Sequence, residues 1–171
     1  MSITQDRFRP LRPVGQTTLR VTDLCVGCAP LGDMPDTFAY SVPEDRALET
    51  VRASFDGAIN FIDTAASYGD GESERRIGLV IRERGGLPDG IVLATKADRD
   101  LHTGDFSGDQ MKRSVDRSLR LLGVDRLHLV HLHDAEHTTF DNIMSKGGPL
   151  EVLRGLKDEG VIEVQIGRAH V

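Results

Sequence analysis

The chain of 171 residues lacks the features of a membrane-embedded or nucleic-acid-binding protein. Its longest apolar runs are strand-sized and broken by charges, which excludes a transmembrane helix, and the polar residues 1–6 contain no secretory core. Lysine and arginine number 21 against 27 aspartates and glutamates, and no stretch concentrates positive charge. We therefore expect no nucleic-acid partner and no membrane partner, and we predict a cytoplasmic globular domain.

Cysteine is also scarce, with two residues in the whole chain. Cys25 and Cys28 have C-x-x-C spacing, but they lie inside an apolar run and not at a helix start, where a thiolate is stabilised. A structural zinc ion takes four ligands, which two cysteines cannot supply. The sequence therefore predicts two buried structural thiols.

The sequence does contain a repeated alternation of strand-like and helix-like segments. Short apolar runs predict five strands, at residues 24–29, 59–63, 91–96, 126–133 and 161–165. Apolar residues at helical spacing predict four helices, at residues 44–56, 73–85, 109–122 and 149–159. Residues 16–21 are predicted to form part of a short hairpin before the first strand.

Several helix ends carry their own local signals. Residues 41–44 (SVPE) have the spacing of a capping box at the start of the first helix. Gly57, Gly123 and Gly160 each follow a predicted helix, where a left-handed glycine commonly ends the last turn.

Strict alternation of strands and helices predicts a parallel sheet with right-handed crossovers. Such a sheet is either open and doubly wound or part of a (β/α)₈ barrel, and the absence of G-x-G-x-x-G after the first strand weakens the open dinucleotide-binding alternative. Asp63, Tyr68, Lys96 and His133 lie at or just beyond the ends of three of the strands. In this architecture chemistry collects at the carboxyl ends of strands, so these four side chains are the candidate catalytic set.

The histidines suggest an alternative chemistry. His131 and His133 are two residues apart on one predicted strand, so they share a face, as an H-x-H metal pair requires. A metal-dependent barrel hydrolase would need further ligands from other strands, and Asp63 is the clear candidate. The primary prediction remains a site without a metal, and His128, which is out of phase, is predicted to be structural.

Five motifs together resemble those of the aldo-keto reductase family. They are FIDTAASYG at 61–69, GESE at 71–74, ATK at 94–96, LGVD at 122–125 and LHD at 132–134. The resemblance covers about residues 19–165 and implies an incomplete (β/α)₈ barrel containing about strands one to five. It implies an NAD- or NADP-dependent oxidoreductase that interconverts a small carbonyl compound and an alcohol. Residues 29–33 and 133–134 further resemble the branch that oxidises aldoses or pyridoxal-type alcohols.

The resemblance also implies a role for each site residue. Tyr68 is the general acid, and Lys96 helps it because a nearby ammonium group stabilises a phenolate. Asp63 keeps Lys96 charged and oriented, while His133 donates a hydrogen bond to the substrate oxygen. Gly27, Ala29 and Asp63 are implied to lie against the cofactor. Within the same family, the alternative is a non-catalytic, cofactor-binding regulatory subunit.

The last residues give a prediction of a different kind. Residues 1–165 are interpreted as the N-terminal half of the barrel, whereas residues 166–171 (IGRAHV) are interpreted as a non-native tail. Their back-translation, ATC GGA AGA GCA CAC GTC, resembles a common sequencing adapter. A half-barrel lacks the later loops that hold cofactor phosphate, so we expect little activity from these residues alone.

Overall fold

The computed structural model describes residues 7–167, which form a parallel sheet, a separate hairpin and surrounding helices. The strands are β1 (Leu11–Pro13), β2 (Arg20–Thr22), β3 (Val26–Gly27), β4 (Phe61–Asp63), β5 (Val92–Ala97), β6 (Leu127–Leu132) and β7 (Ile162–Gly167). The helices are α1 (Pro35–Phe38), α2 (Glu44–Asp56), α3 (Glu72–Glu83), α4 (Gly108–Leu122), α5 (Phe140–Met144) and α6 (Pro149–Asp158). Short 3₁₀ helices occupy Ala29–Gly32 and Ala135–His137.

Strands β3 to β7 lie side by side in chain order, and each is parallel to the next. Helices α2, α3, α4 and α6 connect successive strands, so the chain repeats a strand–helix unit across the whole sheet. Sequential order without a reversal is the arrangement of neighbouring strands in a (β/α)₈ barrel. The predicted fold class, an incomplete barrel with about strands one to five, is confirmed.

The sheet is buried on both faces. The larger core cluster packs the helices against one face and includes Phe55, Ile77, Leu93, Met111 and Val130. A smaller cluster on the opposite face consists of Leu19, Val92, Ala94, Leu129 and Val164. We call this opposite face the inner face. Burial on both faces explains why the strands have continuous apolar runs and no polar–apolar alternation.

The start and end of helix α2 differ from the prediction. The helix begins at Glu44, after Pro43, and no side chain caps it. Proline disfavours helical geometry at the preceding residue, so Val42 cannot be the first helical residue that a capping box from Ser41 requires. The capping-box prediction is therefore wrong. The left-handed prediction for Gly57 is also wrong, because its φ of −79° and ψ of −176° are extended.

The other boundaries follow the prediction more closely. Gly123, at φ 71°, ends helix α4, and Gly160, at φ 79°, follows helix α6. The hairpin exists, but its first strand, β1, lies earlier than predicted and pairs antiparallel with β2. The short helices α1 and α5, of 4 and 5 residues, were not predicted.

The predicted tail lies partly inside the described structure. Ile166 and Gly167 belong to β7, where they pair with His131 and Leu132 of β6. Residues 168–171 lie outside the described residues, and the non-native origin of the tail stays a prediction. Within residues 7–167, the helices are all too short or too polar to cross a bilayer.

Candidate active site

Alternation along the strands brings the candidate residues to the inner face. Side chains two residues apart share a face, so the inner-face residues Phe61, Ala94 and Leu129 are followed by Asp63, Lys96 and His131. In the sheet, Asp63 of β4 pairs with Ala94, and Lys96 of β5 pairs with His131 of β6. Three neighbouring strands therefore end in polar groups at one edge of the sheet.

Lys96 is the centre of this polar group. Its Nζ donates hydrogen bonds to Asp63 Oδ2 at 2.7 Å, to the Thr64 carbonyl oxygen at 2.8 Å and to Tyr68 Oη at 3.1 Å. Burial by itself would lower the pKa of Lys96, but the charge of Asp63 and the hydrogen bonds to Asp63 and Tyr68 outweigh burial and raise it. Lys96 is therefore a stable ammonium in direct contact with the Tyr68 hydroxyl.

Two glycines allow the loop that carries Tyr68 to approach the segment after β3. Gly69 has φ 62°, a left-handed conformation, and a Cβ there would overlap the backbone of Gly32. The Tyr68 carbonyl also accepts a hydrogen bond from the Ser73 N–H at 3.2 Å. Gly32 and Gly69 are thus required by the close backbone packing that places the phenol of Tyr68 beside Lys96.

Buried side chains of the GESE motif hydrogen-bond the start of helix α3 to the strands that form the site. The Ser73 hydroxyl donates to the Cys28 carbonyl at 2.8 Å and contacts the Thr64 hydroxyl at 2.9 Å. Thr95, next to Lys96, donates to Glu74 Oε1 at 2.6 Å, and burial raises the pKa of that carboxyl group. These contacts tie the start of α3 to the ends of three strands.

His133 lies just past the end of β6, with 8% of its surface exposed. Its Nδ1 is 2.6 Å from Asp98 Oδ1, and its Nε2 is 3.3 Å from Asp134 Oδ1. The ring stands edge-on to the ring of Tyr68, with the centroids 6.1 Å apart at 85°. His133 and Tyr68 thus adjoin the same space from the ends of β6 and β4, the strands on either side of β5.

A cavity of about 390 Å³ is lined by Asp63, Tyr68, Lys96, His131 and His133. The four residues of the candidate catalytic set are therefore brought together, with His131 beside them. Burial lowers the pKa of His131 and favours its neutral form. Its Nδ1 is buried and makes no hydrogen bond within the described part of the chain.

Asp98 is the residue of the site that the sequence analysis missed. It follows β5 and is 3% exposed, and its carboxylate binds both His133 Nδ1 and the Ser67 N–H. Its position two residues after Lys96 was the available signal, because strand alternation places both on one face. The predicted strand ended at residue 96, so the alternation was not extended to residue 98.

The residues implied for cofactor binding lie along the same edge. Gly27, the last residue of β3, pairs with Asp63 in the sheet and is exposed. A Cβ at Gly27 would meet no atom within 4 Å, so the space above its backbone is open. Ala29 begins the following 3₁₀ helix and is half-buried.

The prediction of two buried thiols is correct for Cys28 but wrong for Cys25, which is exposed. Strand β3 is shorter than predicted, so Cys25 lies before it and not within the sheet. The pKa of Cys25 is raised to about 11 and that of Cys28 to about 12, chiefly by burial of part or all of each thiol. Both groups are therefore thiols at neutral pH and poor nucleophiles.

His128, on strand β6, contacts the neighbouring strand β5. His128 Nδ1 accepts a hydrogen bond from the Leu93 N–H at 3.3 Å, which is a structural contact. Within residues 7–167, the group of possible metal ligands whose atoms lie within 4.8 Å of one another is Asp98, His133 and Asp134. That group does not contain His131 or Asp63, the partners that the hydrolase alternative requires.

Fold and site together define a class, a β/α barrel segment with a Tyr–Lys–Asp group and a histidine at its carboxyl edge. The aldo/keto reductase family model matches residues 23–166, and the chain belongs to this family of oxidoreductases. The predicted resemblance is thereby confirmed.

Two curated relatives and one solved structure illustrate the similarity. The chain is 36% identical over 150 residues to L-galactose dehydrogenase of Arabidopsis thaliana, covering 88% of this chain and 45% of that protein. It is 29% identical over 188 residues to pyridoxal 4-dehydrogenase of Microbacterium luteolum, covering 89% and 53%. An aldo-keto reductase from Klebsiella pneumoniae, solved in complex with NADPH, superposes with a TM-score of 0.67 at 25% identity, covering 88% and 46%. The chain therefore spans about half the length of these relatives.

Proposed function

We propose that this chain supplies the catalytic edge of an NAD(P)-dependent oxidoreductase that interconverts a small carbonyl compound and an alcohol. The observation that carries the proposal is the hydrogen-bonded series from Asp63 through Lys96 to Tyr68 Oη. An ammonium held against a phenol hydroxyl is an arrangement for proton transfer at that hydroxyl.

The proposed proton transfers follow from these contacts. A nicotinamide cofactor would supply the hydride to the carbonyl carbon in reduction and accept it in oxidation. Tyr68 gives its hydroxyl proton to the carbonyl oxygen, and Lys96 stabilises the phenolate that remains. Asp63 holds Lys96 charged and pointed at Tyr68. His133 donates a hydrogen bond to the same carbonyl oxygen and orients it, and in oxidation Tyr68 takes the alcohol proton back.

The open edge at β3 fits a planar ring beside this group. Gly27 presents bare, exposed backbone next to Asp63, with no side chain to block an approaching ligand. We propose that Gly27, Ala29 and Asp63 form the part of the cofactor site that this chain contains. The NADPH complex of the Klebsiella pneumoniae relative supports a nicotinamide dinucleotide as the ligand.

The names of the relatives support a substrate class. L-galactose dehydrogenase and pyridoxal 4-dehydrogenase are named for the oxidation of polyhydroxylated or ring-bearing small molecules. We propose an aldose or a similar small aldehyde or alcohol as the substrate, and a cytoplasmic location as predicted from the sequence. Because the chain spans about half of these relatives, this assignment concerns the whole protein.

The test is Tyr68→Phe in the full-length product of the gene. Removing the hydroxyl removes the proton donor but keeps the ring, so the rate of carbonyl reduction should fall by ~10²- to 10⁴-fold while NADPH affinity stays the same. Steady-state kinetics and a binding titration measure the two quantities. Unchanged turnover would remove Tyr68 from the mechanism. A wild-type protein that binds NADPH and turns over no carbonyl substrate would instead indicate the regulatory-subunit alternative.

A further inference from the structure

A second polar group of the site centres on His133, which has a carboxyl oxygen near each ring nitrogen. Asp98 Oδ1 is 2.6 Å from Nδ1, and Asp134 Oδ1 is 3.3 Å from Nε2. Other titratable groups near the ring are Tyr68, edge-on at 6.1 Å between centroids, and His131, which interacts with His133 electrostatically. Asp63 and Lys96 line the same cavity. The contact with Asp98 is the shorter of the two carboxylate contacts and is fully buried.

Hydrogen bonds hold both the side chain and the backbone of Asp98. Its Oδ2 accepts the Ser67 N–H at 3.0 Å, its N–H donates to Ser114 Oγ at 3.0 Å, and its carbonyl accepts from Gln110 Nε2 at 3.0 Å. The last two partners lie on helix α4 and anchor the backbone of Asp98 to the scaffold, while the Ser67 N–H and His133 Nδ1 each hold one of its two carboxylate oxygens. A carboxylate anchored in this way has one orientation to offer the imidazole.

We propose that Asp98 is a positioning residue that holds a proton of His133 on Nδ1 and so makes Nε2, which Asp134 Oδ1 approaches at 3.3 Å, the nitrogen that donates to the substrate oxygen. An ionised carboxylate only accepts hydrogen bonds, so the 2.6 Å contact requires a proton on Nδ1. Nε2 then donates only when it also carries a proton, which makes the imidazolium the donor form. Asp98 and Asp134 balance its charge, and a charged donor binds a developing oxyanion more strongly than a neutral one.

The expected effect of Asp98 on the rate of carbonyl reduction rests on the proposed function. The position of the proton on His133 Nδ1 does not. The test is therefore ¹⁵N NMR of the imidazole rings, in the full-length gene product labelled at histidine and titrated with pH. The signal of His133 is identified by its loss in His133→Gln. In the wild type we expect Nδ1 to be protonated in every form of the ring, and a neutral ring with the proton on Nε2 would overturn the proposal.

Asp98→Asn provides the matched change. The Ser67 N–H needs an acceptor, so the new amide turns its oxygen to Ser67 and its NH₂ to His133, and the proton of the neutral ring moves to Nε2. With a neutral donor in place of the imidazolium, carbonyl reduction should slow by about tenfold or more at constant NADPH affinity. An unchanged Nδ1 proton in Asp98→Asn would also overturn the proposal. If this variant does not fold, the wild-type spectrum alone decides.

Asp116→Asn is the control for the loss of one carboxylate. Asp116 is a partly exposed residue of α4 that pairs with Lys112 at 2.8 Å. Its substitution should leave both the His133 signal and turnover unchanged. A wild-type protein with an Nδ1 proton on His133 but no turnover would refute the proposed function and leave the assignment of Asp98 intact.

Discussion

Asp63 shows how one residue stabilises the fold and the chemistry at once. The Lys96–Asp63 pair is largely buried, with 13% and 27% of the two side chains exposed. Asp63→Asn removes the charge that offsets the burial of Lys96, so we expect the free energy of unfolding at pH 7 to fall by about 2 kcal/mol. Denaturant unfolding measures this loss.

The control and the pH dependence follow from the same charges. Asp116→Asn breaks an exposed pair and should change the free energy of unfolding by less than ~0.5 kcal/mol. Because the folded pKa of Lys96 is raised, the stabilisation by its charge is fully present below the ordinary lysine pKa of about 10.4 and is lost as pH rises through the folded value. Equal effects of the two variants at pH 7 would contradict the central position given to Asp63.

Gly27 tests the proposed cofactor edge. Gly27→Val places a branched side chain over exposed backbone where no atom lies within 4 Å, so thermal unfolding should hardly change. If the nicotinamide end lies there, the Kd for NADPH should rise about tenfold or more, a cost of about 1.4 kcal/mol per tenfold. Calorimetric titration with NADPH measures the Kd. An unchanged Kd would place the cofactor elsewhere.

At the residue scale, the position of a side chain at the end of a strand was the signal that could be interpreted. It predicted that Asp63, Lys96 and His133 lie at one edge, because the carboxyl ends of parallel strands meet there. It missed Asp98 because the strand-like alternation continues past the last apolar residue. It misplaced Cys25 because an apolar run does not reveal where sheet pairing begins.

At the scale of elements, the packing of α3 against α4 depends on a glycine that no turn requires. Gly78 lies within α3, and a Cβ there would overlap the carbonyl oxygen of Leu121 in α4. Gly78→Ala should therefore lower the free energy of unfolding by about 1–3 kcal/mol, since the two helix backbones must separate.

Gly155→Ala is the matched control for that prediction. Gly155 lies within helix α6, and a Cβ there meets no atom within 4 Å. The same substitution should raise the free energy of unfolding by about 0.5–1 kcal/mol, because alanine has the higher helix propensity. Denaturant unfolding measures both variants. A stabilising Gly78→Ala would contradict the close packing of α3 and α4.

The strength of the local sequence signal explains which helices could be predicted. Helices α3, α4 and α6 have clear apolar faces, and Gly123 and Gly160 mark where two of them end. The start of α2 was mispredicted because the proline within the SVPE motif overrides its capping-box spacing. Helices α1 and α5, of 4 and 5 residues, are too short to show a helical period.

At the scale of the whole molecule, the order of the strands determines where the site lies. Sequential parallel strands bring their carboxyl ends to one edge of the sheet. Three of the motifs from which the family was predicted, at residues 61–69, 94–96 and 132–134, lie at the ends of strands β4, β5 and β6. Within residues 7–167, β3 and β7 each pair on one side only. Unpaired strand edges favour association with other chains. The low activity expected of these residues alone stays a prediction.

The most direct test is turnover by the full-length gene product. The protein, dialysed against a chelator, is incubated with a set of aldehydes and aldoses and with NADPH or an oxidised nicotinamide cofactor, and nicotinamide absorbance is followed. Because Tyr68, Lys96, Asp63 and His133 need no metal, we predict turnover of at least one substrate that continues in the presence of the chelator. Turnover that disappears with the chelator and returns with a divalent metal would contradict the account.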